Sequence, residues 1–541
     1  MVTSTGDDSG GQGVSGGRFL IYFAWLGVLG FGLVLAVFGF NREVYNYGTE
    51  TDYLGGFIHE ASRLLRGEPL SVRFHPPFYS VTIALVYSVV RDWLTTGLIV
   101  SLAASIATLT VSLAFLRKIL GTGAAIGGII ALIISPTFVH FSTQTTGDLF
   151  SLAIHMSAFL AVYVSMERRR PAFYIMAGLV IGLGLVTRTN NIAMLALLLF
   201  YMVSLPSESV PLPITAKLKA VGLASAGIAI PLAIWFAYAA GTGAPFMPTQ
   251  NHENLALTYF SEGNRQSGDP RFLLAEQFSS TREVLTADPR RIVRIYISDF
   301  RGTTGRLLLR DTVLPFPMIA VSLLCWIAIL IREQRNRVLV GVILMNLAAM
   351  YMLINFKSYE HRYYLFLLPF IGAGIGHVAE QALQKSGMNM VRVGTCVGLL
   401  ALLGFGAIKT PSEIRRLHTL EWSNDAYAAA AFLNQINAPE NSIIVARKPH
   451  IGYYANRQTG GFAQVPEFDQ LVAWVMQLGR DSTVQVFVFY GRQEQKTRPQ
   501  FAALAHPDTL DAPGLELVAS GPENDGWFLY RAATTNQGPM D

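Results

Sequence analysis

Tyr47-Gly48-Thr49-Glu50-Thr51-Asp52-Tyr53 stands directly after the first long apolar run of the chain. Residues 54–68 follow it, and then Phe74-His75-Pro76-Pro77-Phe78-Tyr79. Two carboxylates, Glu50 and Asp52, therefore sit where a membrane helix hands over to water. On a helical wheel Asp52, Gly56, His59, Arg63 and Arg66 share one face, and Leu54, Phe57, Ile58, Ala61 and Leu65 share the opposite one. The pattern predicts a helix lying along a bilayer surface, apolar side down, with its acid and two arginines turned towards an aqueous pocket. A solvated charged face with no chemistry gives the same pattern.

The chain has 541 residues, of which 51% are hydrophobic and only 14% charged. Soluble domains carry about a quarter charged residues, so the composition indicates a membrane protein, and the positive mean hydropathy agrees. The net charge of +5 is small for this length and gives no sign of nucleic-acid binding. Residues 1–17 are rich in Gly and Ser and read as a disordered tail. Arg18 then opens an apolar run to Phe40 with no small-residue cleavage pattern, which reads as an uncleaved anchor. The two cysteines, Cys325 and Cys396, fall inside apolar runs and imply neither a disulfide nor a metal framework.

Apolar runs at 19–40, 94–116, 122–141, 149–166, 172–187, 191–205, 220–240, 313–331, 338–355, 362–380 and 391–408 predict about eleven transmembrane helices. The run 76–90 is short, opens with His75-Pro76-Pro77 and closes with Arg91-Asp92. If it is re-entrant, Arg117-Lys118, Arg168-Arg169-Arg170, Lys217 and Lys219, Arg332, Arg335 and Arg337, and Lys385 and Arg392 all fall on one side. The positive-inside rule then places the amino terminus in the cytoplasm. Loops 41–93, 142–148, 241–312 and 356–361 are extracytoplasmic. Residues 410–541 change character, alternating helical segments near 424–436, 467–478 and 497–505 with strand-like runs at 442–446, 484–490, 515–519 and 527–531. They predict a soluble extracytoplasmic α/β domain following a membrane domain over 18–409. The absence of any Asn-x-Ser/Thr acceptor favours a bacterial plasma membrane over the secretory pathway.

Suspicious polar residues collect on the extracytoplasmic face. Gln144-Thr145-Thr146-Gly147-Asp148 puts a further acid at the mouth of a span, where it also complements the helix dipole. Gly182-Leu183-Gly184-Leu185-Val186-Thr187-Arg188 ends a glycine-rich helix on a cation. Lys357-Ser358-Tyr359-Glu360-His361-Arg362-Tyr363-Tyr364 gathers cations and aromatics at the water end of another. Snorkelling and an interfacial aromatic belt are the plain explanations of the last two.

The acid after the first span, Ala61 with Leu64-Leu65-Arg66-Gly67, His75-Pro76-Pro77, and the His361-Arg362-Tyr363-Tyr364-Leu365 pattern with Leu368-Pro369 together resemble the GT-C superfamily of integral-membrane glycosyltransferases. Similar motifs occur in its protein O-mannosyltransferases and its aminoarabinose and arabinofuranosyl transferases. The resemblance extends over roughly residues 18–380. It implies a polytopic α-helical fold and transfer of a sugar from a polyprenyl-phosphate donor to an extracytoplasmic glycan, lipid or protein acceptor, by a single inverting displacement. Under it Asp52 is the catalytic base, with Glu50 as rival. Arg362, His361, Lys357, Arg188 and Arg63 are candidates for the donor phosphate, and Asp148, His75, His59 and Tyr53 for substrate positioning. Asp52 and Asp148 offer oxygen ligands if Mg2+ or Mn2+ is used, although no dense acidic cluster demands one. The competing class is a transporter or flippase for a lipid-linked or anionic substrate. It fits less well, because the polar residues gather at one membrane face instead of at mid-depth and no inverted repeat is visible.

Overall fold

Runs of apolar residues in lipid must satisfy their backbone internally, and helices do so within one segment. The computed structural model describes residues 11–41, 51–72, 75–203, 212–249, 251–260, 278–309, 314–333, 337–356, 360–385, 404–412, 425–461, 467–482, 484–510, 512–521 and 526–533. In chain order the helices that matter begin with α1 (Gly11–Phe40), a π-helical turn (Tyr53–Phe57) continuing into α2 (Ile58–Leu65), α3 (Phe78–Val90) and α4 (Trp93–Leu120). Next come α5 (Thr122–Ile133), α6 (Pro136–Ser142), α7 (Gly147–Arg168), α8 (Pro171–Leu185), a 3-10 helix (Thr189–Met202) and α9 (Ile214–Thr242). Beyond these lie α10 (Asn251–Phe260), α11 (Thr281–Ala287), α12 (Pro289–Leu309), α13 (Phe316–Arg332) and α14 (Arg337–Asn355). A short 3-10 segment (His361–Leu367) then runs into α15 (Leu368–Lys385).

Among the described residues six helices are long and apolar enough to cross a membrane, and the pair α5 and α6, bent by 68°, makes a seventh if taken as one span. The bend has a local cause. Pro136 brings no N–H to the first turn of α6, and Ser135 caps that turn by accepting from the Phe138 N–H at 3.4 Å. Segments α3, α8, the 3-10 helix and α13 are shorter apolar helices. The expected total of about eleven spans is therefore not reached on length, and most of the expected span 391–408 lies outside the described residues. Thr189–Met202 shows how a short run can still reach far: a 3-10 helix rises about 2.0 Å per residue, so its 14 residues extend about 28 Å, close to the hydrocarbon thickness. Helix α1 begins at Gly11, within the stretch that composition alone assigns to the tail. Extending a stable helix costs far less than nucleating one.

The described chain divides into two compact units. One comprises 1–42, 67–247 and 296–416, and the other 43–66, 248–295 and 417–541. In the first, two helix pairs approach backbone to backbone. A Cβ at Gly178 would collide with the Ala224 carbonyl oxygen and one at Gly227 with that of Ile175, joining α8 to α9. Gly127 and Gly372 exclude one another's Cβ in the same way across α5 and α15. Small residues allow this contact, which is how helices associate where lipid tails remove the hydrophobic drive.

The second unit contains a five-stranded sheet of order β2-β1-β3-β5-β4, formed by β1 (Ile443–Val445), β2 (Gln458–Gly460), β3 (Val486–Tyr490), β4 (Leu515–Ser520) and β5 (Phe528–Ala532). Strands β2, β1 and β3 run parallel, while β5 is antiparallel to β3 and to β4. Every residue of β3 is buried. Phe487 and Phe489 face one core with Ala429, Leu433 and Ile451, and Val486, Val488 and Tyr490 face another with Leu471, Val475 and Phe501. A two-sided strand reads as a continuous apolar run. The sequence predicts four of the five strands. It misses β2, whose Gln-Thr-Gly carries no apolar signal, and the short helix His450–Ala455, which ends on a left-handed Asn456.

Candidate functional site

The first turn of α7 places the acid. Thr146 caps the helix, its hydroxyl accepting from the Asp148 N–H at 3.2 Å and donating to Asp148 Oδ2 at 2.7 Å. Ser101 on α4 holds Thr146 in turn, its Oγ accepting from the Thr146 N–H at 3.3 Å. Asp148 is thereby fixed at the mouth of a span with its side chain only 3% exposed.

Two arginines from remote segments converge on it. Arg188, the cap residue of the 3-10 helix, meets Asp148 Oδ1 through Nη1, and Arg362 Nη1 lies 3.5 Å from Asp148 Oδ2. Arg362 Nε is also 2.5 Å from Glu360 Oε2, a carboxylate whose side chain is 45% exposed. Both guanidiniums lie against the Tyr363 ring, at 5.4 Å for Arg188 and 5.2 Å for Arg362, and Arg362 also lies 6.0 Å from the Phe141 ring. Among the described residues of this cluster, two guanidiniums stand with two carboxylates.

Asn191 locks the turn that presents Arg188, its Nδ2 donating to the Gly184 carbonyl at 2.9 Å and to Ser151 Oγ at 3.0 Å. The chain before α3 docks at the same end. The Phe78 N–H donates to the Val186 carbonyl at 2.9 Å, and Phe78 and Tyr79 pack on Phe150 at 5.5 and 5.4 Å. The half-buried His75 opens this segment.

A cavity runs down from the cluster, lined by Asp148, Ser151, Leu152, His155, Arg188 and Asn190 on one side and by Met350, Arg362, Tyr363, Leu365 and Phe366 on the other. His155 is buried there with a defined tautomer. Asn346 Nδ2 donates to the Ala193 carbonyl at 2.8 Å, which turns Asn346 Oδ1 towards His155 Nε2 at 3.0 Å and puts the imidazole proton on Nε2. The Phe159 ring stacks on the imidazole at 5.3 Å.

Of the residues singled out from sequence, Asp148, Arg188 and Arg362 are brought together. Asp52, Tyr53, His59 and Arg63 belong to the other unit, on the π turn and α2. There Leu54, Phe57, Ile58 and Ala61 are buried as the wheel predicts, but Leu65 is 44% exposed. The π turn takes more residues than an α turn, so a 3.6-residue wheel does not hold across Asp52 to Phe57. Pro449 of the α/β sheet region packs on this turn: a Cβ at Gly55 would lie 3.3 Å from Pro449 Cγ. Asp52 is half-buried, Tyr53 fully buried and His59 exposed. Glu50 and Lys357, and the side chain of His361, lie outside the described residues.

Sequence reasoning missed His155, Ser151, Asn191, Asn346 and Glu360. Ser151 and His155 stand three and seven residues after Asp148 on one helix face, and that spacing was the available signal. The oxygens of Asp148 are committed to a hydroxyl and two guanidiniums, a donor set that does not suit Mg2+ or Mn2+. Among the described residues no group of three His, Cys, Asp or Glu side chains is arranged to hold a metal ion.

A buried acid and two arginines meet at one end of a multi-span bundle. Residues 74–235 match the family described as dolichyl-phosphate-mannose-protein mannosyltransferase. The fold is that of ArnT from Cupriavidus metallidurans bound to undecaprenyl phosphate, with a TM-score of 0.53 at 13% identity over 95% of this chain and 99% of that one. ArnT in the apo state aligns with a TM-score of 0.52 at 15% identity over 98% of this chain and 100% of that one. AglB from Archaeoglobus fulgidus, in complex with an inhibitory peptide and a dolichol-phosphate, aligns with a TM-score of 0.56 at 11% identity over 95% of this chain and 75% of that one. A search of curated proteins gave no match. The chain thus has the fold that ArnT and AglB share, and the family match covers residues 74–235 of it.

Proposed function

We propose that the protein transfers a sugar from a polyprenyl-phosphate donor to a hydroxyl of an extracytoplasmic glycan, lipid or protein acceptor. The observation that carries this reading is the convergence of Arg188 and Arg362 on Asp148. Two guanidiniums preoriented by one carboxylate and one tyrosine ring suit a phosphate, because they present several N–H donors with little reorganisation. Undecaprenyl phosphate bound to ArnT and dolichol-phosphate bound to AglB give the reading further support.

In the proposed reaction the acceptor oxygen attacks the anomeric carbon as the bond from that carbon to the phosphate oxygen breaks. The electron pair leaves with the polyprenyl phosphate, whose negative charge Arg188 and Arg362 stabilise. Asp52 takes the acceptor proton, and the anomeric centre inverts. Asp148 holds the two arginines and does not itself react.

The test pairs single-turnover transfer with donor-lipid binding. Asp52→Asn should lower turnover about 10²–10⁴-fold with donor affinity little changed. Arg362→Ala should weaken donor binding by about 1.5–3 kcal/mol. Full turnover in Asp52→Asn, together with its loss in Glu50→Gln, moves the base to Glu50. If neither substitution affects transfer, the proposed chemistry is wrong.

A further inference from the structure

At the opposite end of the membrane bundle from Asp148, α1 and α4 part to leave a groove of about 340 Å³ lined by Ile21, Trp25, Leu113, Ala114, Arg117 and Lys118. Its depth follows from α7, which Asp148 opens and Glu167 nearly closes, a rise of about 28 Å at 1.5 Å per residue. Lys118 Nζ lies 2.7 Å from Glu167 Oε2, so the groove's basic end sits at that far level.

Sequence explains why the helices separate there. Ile21 and Val28 are buried and seal α1 onto the core, Trp25 between them is half-buried, and Ala114 opposite is too small to fill the space. Most of the remaining α1 surface is exposed, with Tyr22, Phe23 and Leu26 each more than 60% accessible, so the groove opens towards the lipid-facing side of the span. Its walls are apolar and its end is cationic. Lys118 is neutralised by Glu167, whereas the guanidinium of Arg117, exposed in the last turn of α4, has no ion pair or hydrogen bond among the described residues.

We propose that this groove binds one anionic glycerophospholipid, an acyl chain lying against Ile21, Trp25, Leu113 and Ala114 and the phosphodiester on Arg117. One uncompensated guanidinium matches the single charge of a phosphodiester headgroup better than the double charge of a monoester such as a polyprenyl phosphate. Basic pockets between spans are a recurring form of headgroup recognition, and Trp is at home at that depth. The site is independent of the transferase reading, because it lies at the other membrane face.

The test uses the full chain in phosphatidylcholine vesicles containing, at equal mole fraction, either brominated phosphatidylglycerol or brominated phosphatidylcholine. The Trp25 emission is obtained by difference from Trp25→Phe. Brominated phosphatidylglycerol should quench it as though enriched about fivefold, the effect of one basic residue near a membrane surface. Arg117→Gln should abolish the preference while transfer activity stays unchanged. Equal quenching by the two lipids, a preference that survives Arg117→Gln, or relief of quenching by polyprenyl phosphate at lower concentration than unbrominated phosphatidylglycerol would each overturn the assignment. Should Trp25→Phe fail to fold, native mass spectrometry of lipid retained by the wild type and by Arg117→Gln decides the same question.

Discussion

Asp148→Asn tests whether one buried carboxylate organises the cluster. The side chains concerned are 3% exposed for Asp148, 12% for Arg188 and 10% for Arg362, so solvent offers little compensation when the charge goes. Asparagine is the same size and keeps the Thr146 hydroxyl as a partner, but its amide turns a donor towards a guanidinium that can only donate. Breaking a buried ion pair by removing one partner costs about 3–5 kcal/mol. The empty variant should lose stability of that order. The same substitution removes the carboxylate that both arginines face, so an arriving phosphate restores the missing negative charge. Each charge-assisted contact it makes is worth about 1.5–3 kcal/mol, and the stability gap between variant and wild type should narrow by about that amount with saturating polyprenyl phosphate. Denaturant unfolding in detergent, followed by tryptophan fluorescence with and without the lipid, measures both quantities. A loss below about 1 kcal/mol would mean that the ion pairs do not hold the site. A gap that widens with lipid would mean that Asp148 contacts the ligand favourably, and would refute the purely orienting role.

Glu360 sits on Arg362 and is half exposed, so an incoming phosphate must displace it. Glu360→Gln should therefore tighten polyprenyl-phosphate binding by up to about fivefold, the worth of an exposed ion pair, and an unchanged or weaker affinity in equilibrium binding contradicts this. In the second unit Glu494 is 1% exposed, and burial above all, with Asp425 adding repulsion against the pull of Arg447 and nearby backbone N–H groups, pushes its carboxyl from 4.5 up to about 7. The folded state thus binds the proton more tightly than the unfolded chain. Stability of this unit should fall by about 3 kcal/mol as pH rises from 4.5 to 7 and then level off. Hydrogen exchange at β3 across that range should show the slope in the wild type and its loss in Glu494→Gln; identical profiles would count against the buried-acid account.

The membrane class, the alternation of the carboxyl-terminal region and the charged residues Asp148, Arg188 and Arg362 that the structure brings together could all be picked out from sequence. Each is written locally, as a long apolar run, a period-two or all-apolar strand, or a charge at the water end of a span. Burial of those runs drives element formation, so composition suffices. What only the tertiary structure decides is which polar groups meet. Arg188 lies 40 residues from Asp148 and Arg362 much farther, and their convergence depends on how glycine contacts such as Gly178 to Ala224 and Gly127 to Gly372 set the helix spacing. Asn346 sits on a largely apolar helix, where a single polar side chain leaves no periodic trace until its partner, His155, is known. The π turn after Asp52 and the 3-10 course of Thr189–Met202 also escaped, since both change the residues per turn on which a wheel depends. Residues 43–66 and 248–295 group with the α/β unit. Long-range packing, which a local pattern does not encode, determines that grouping.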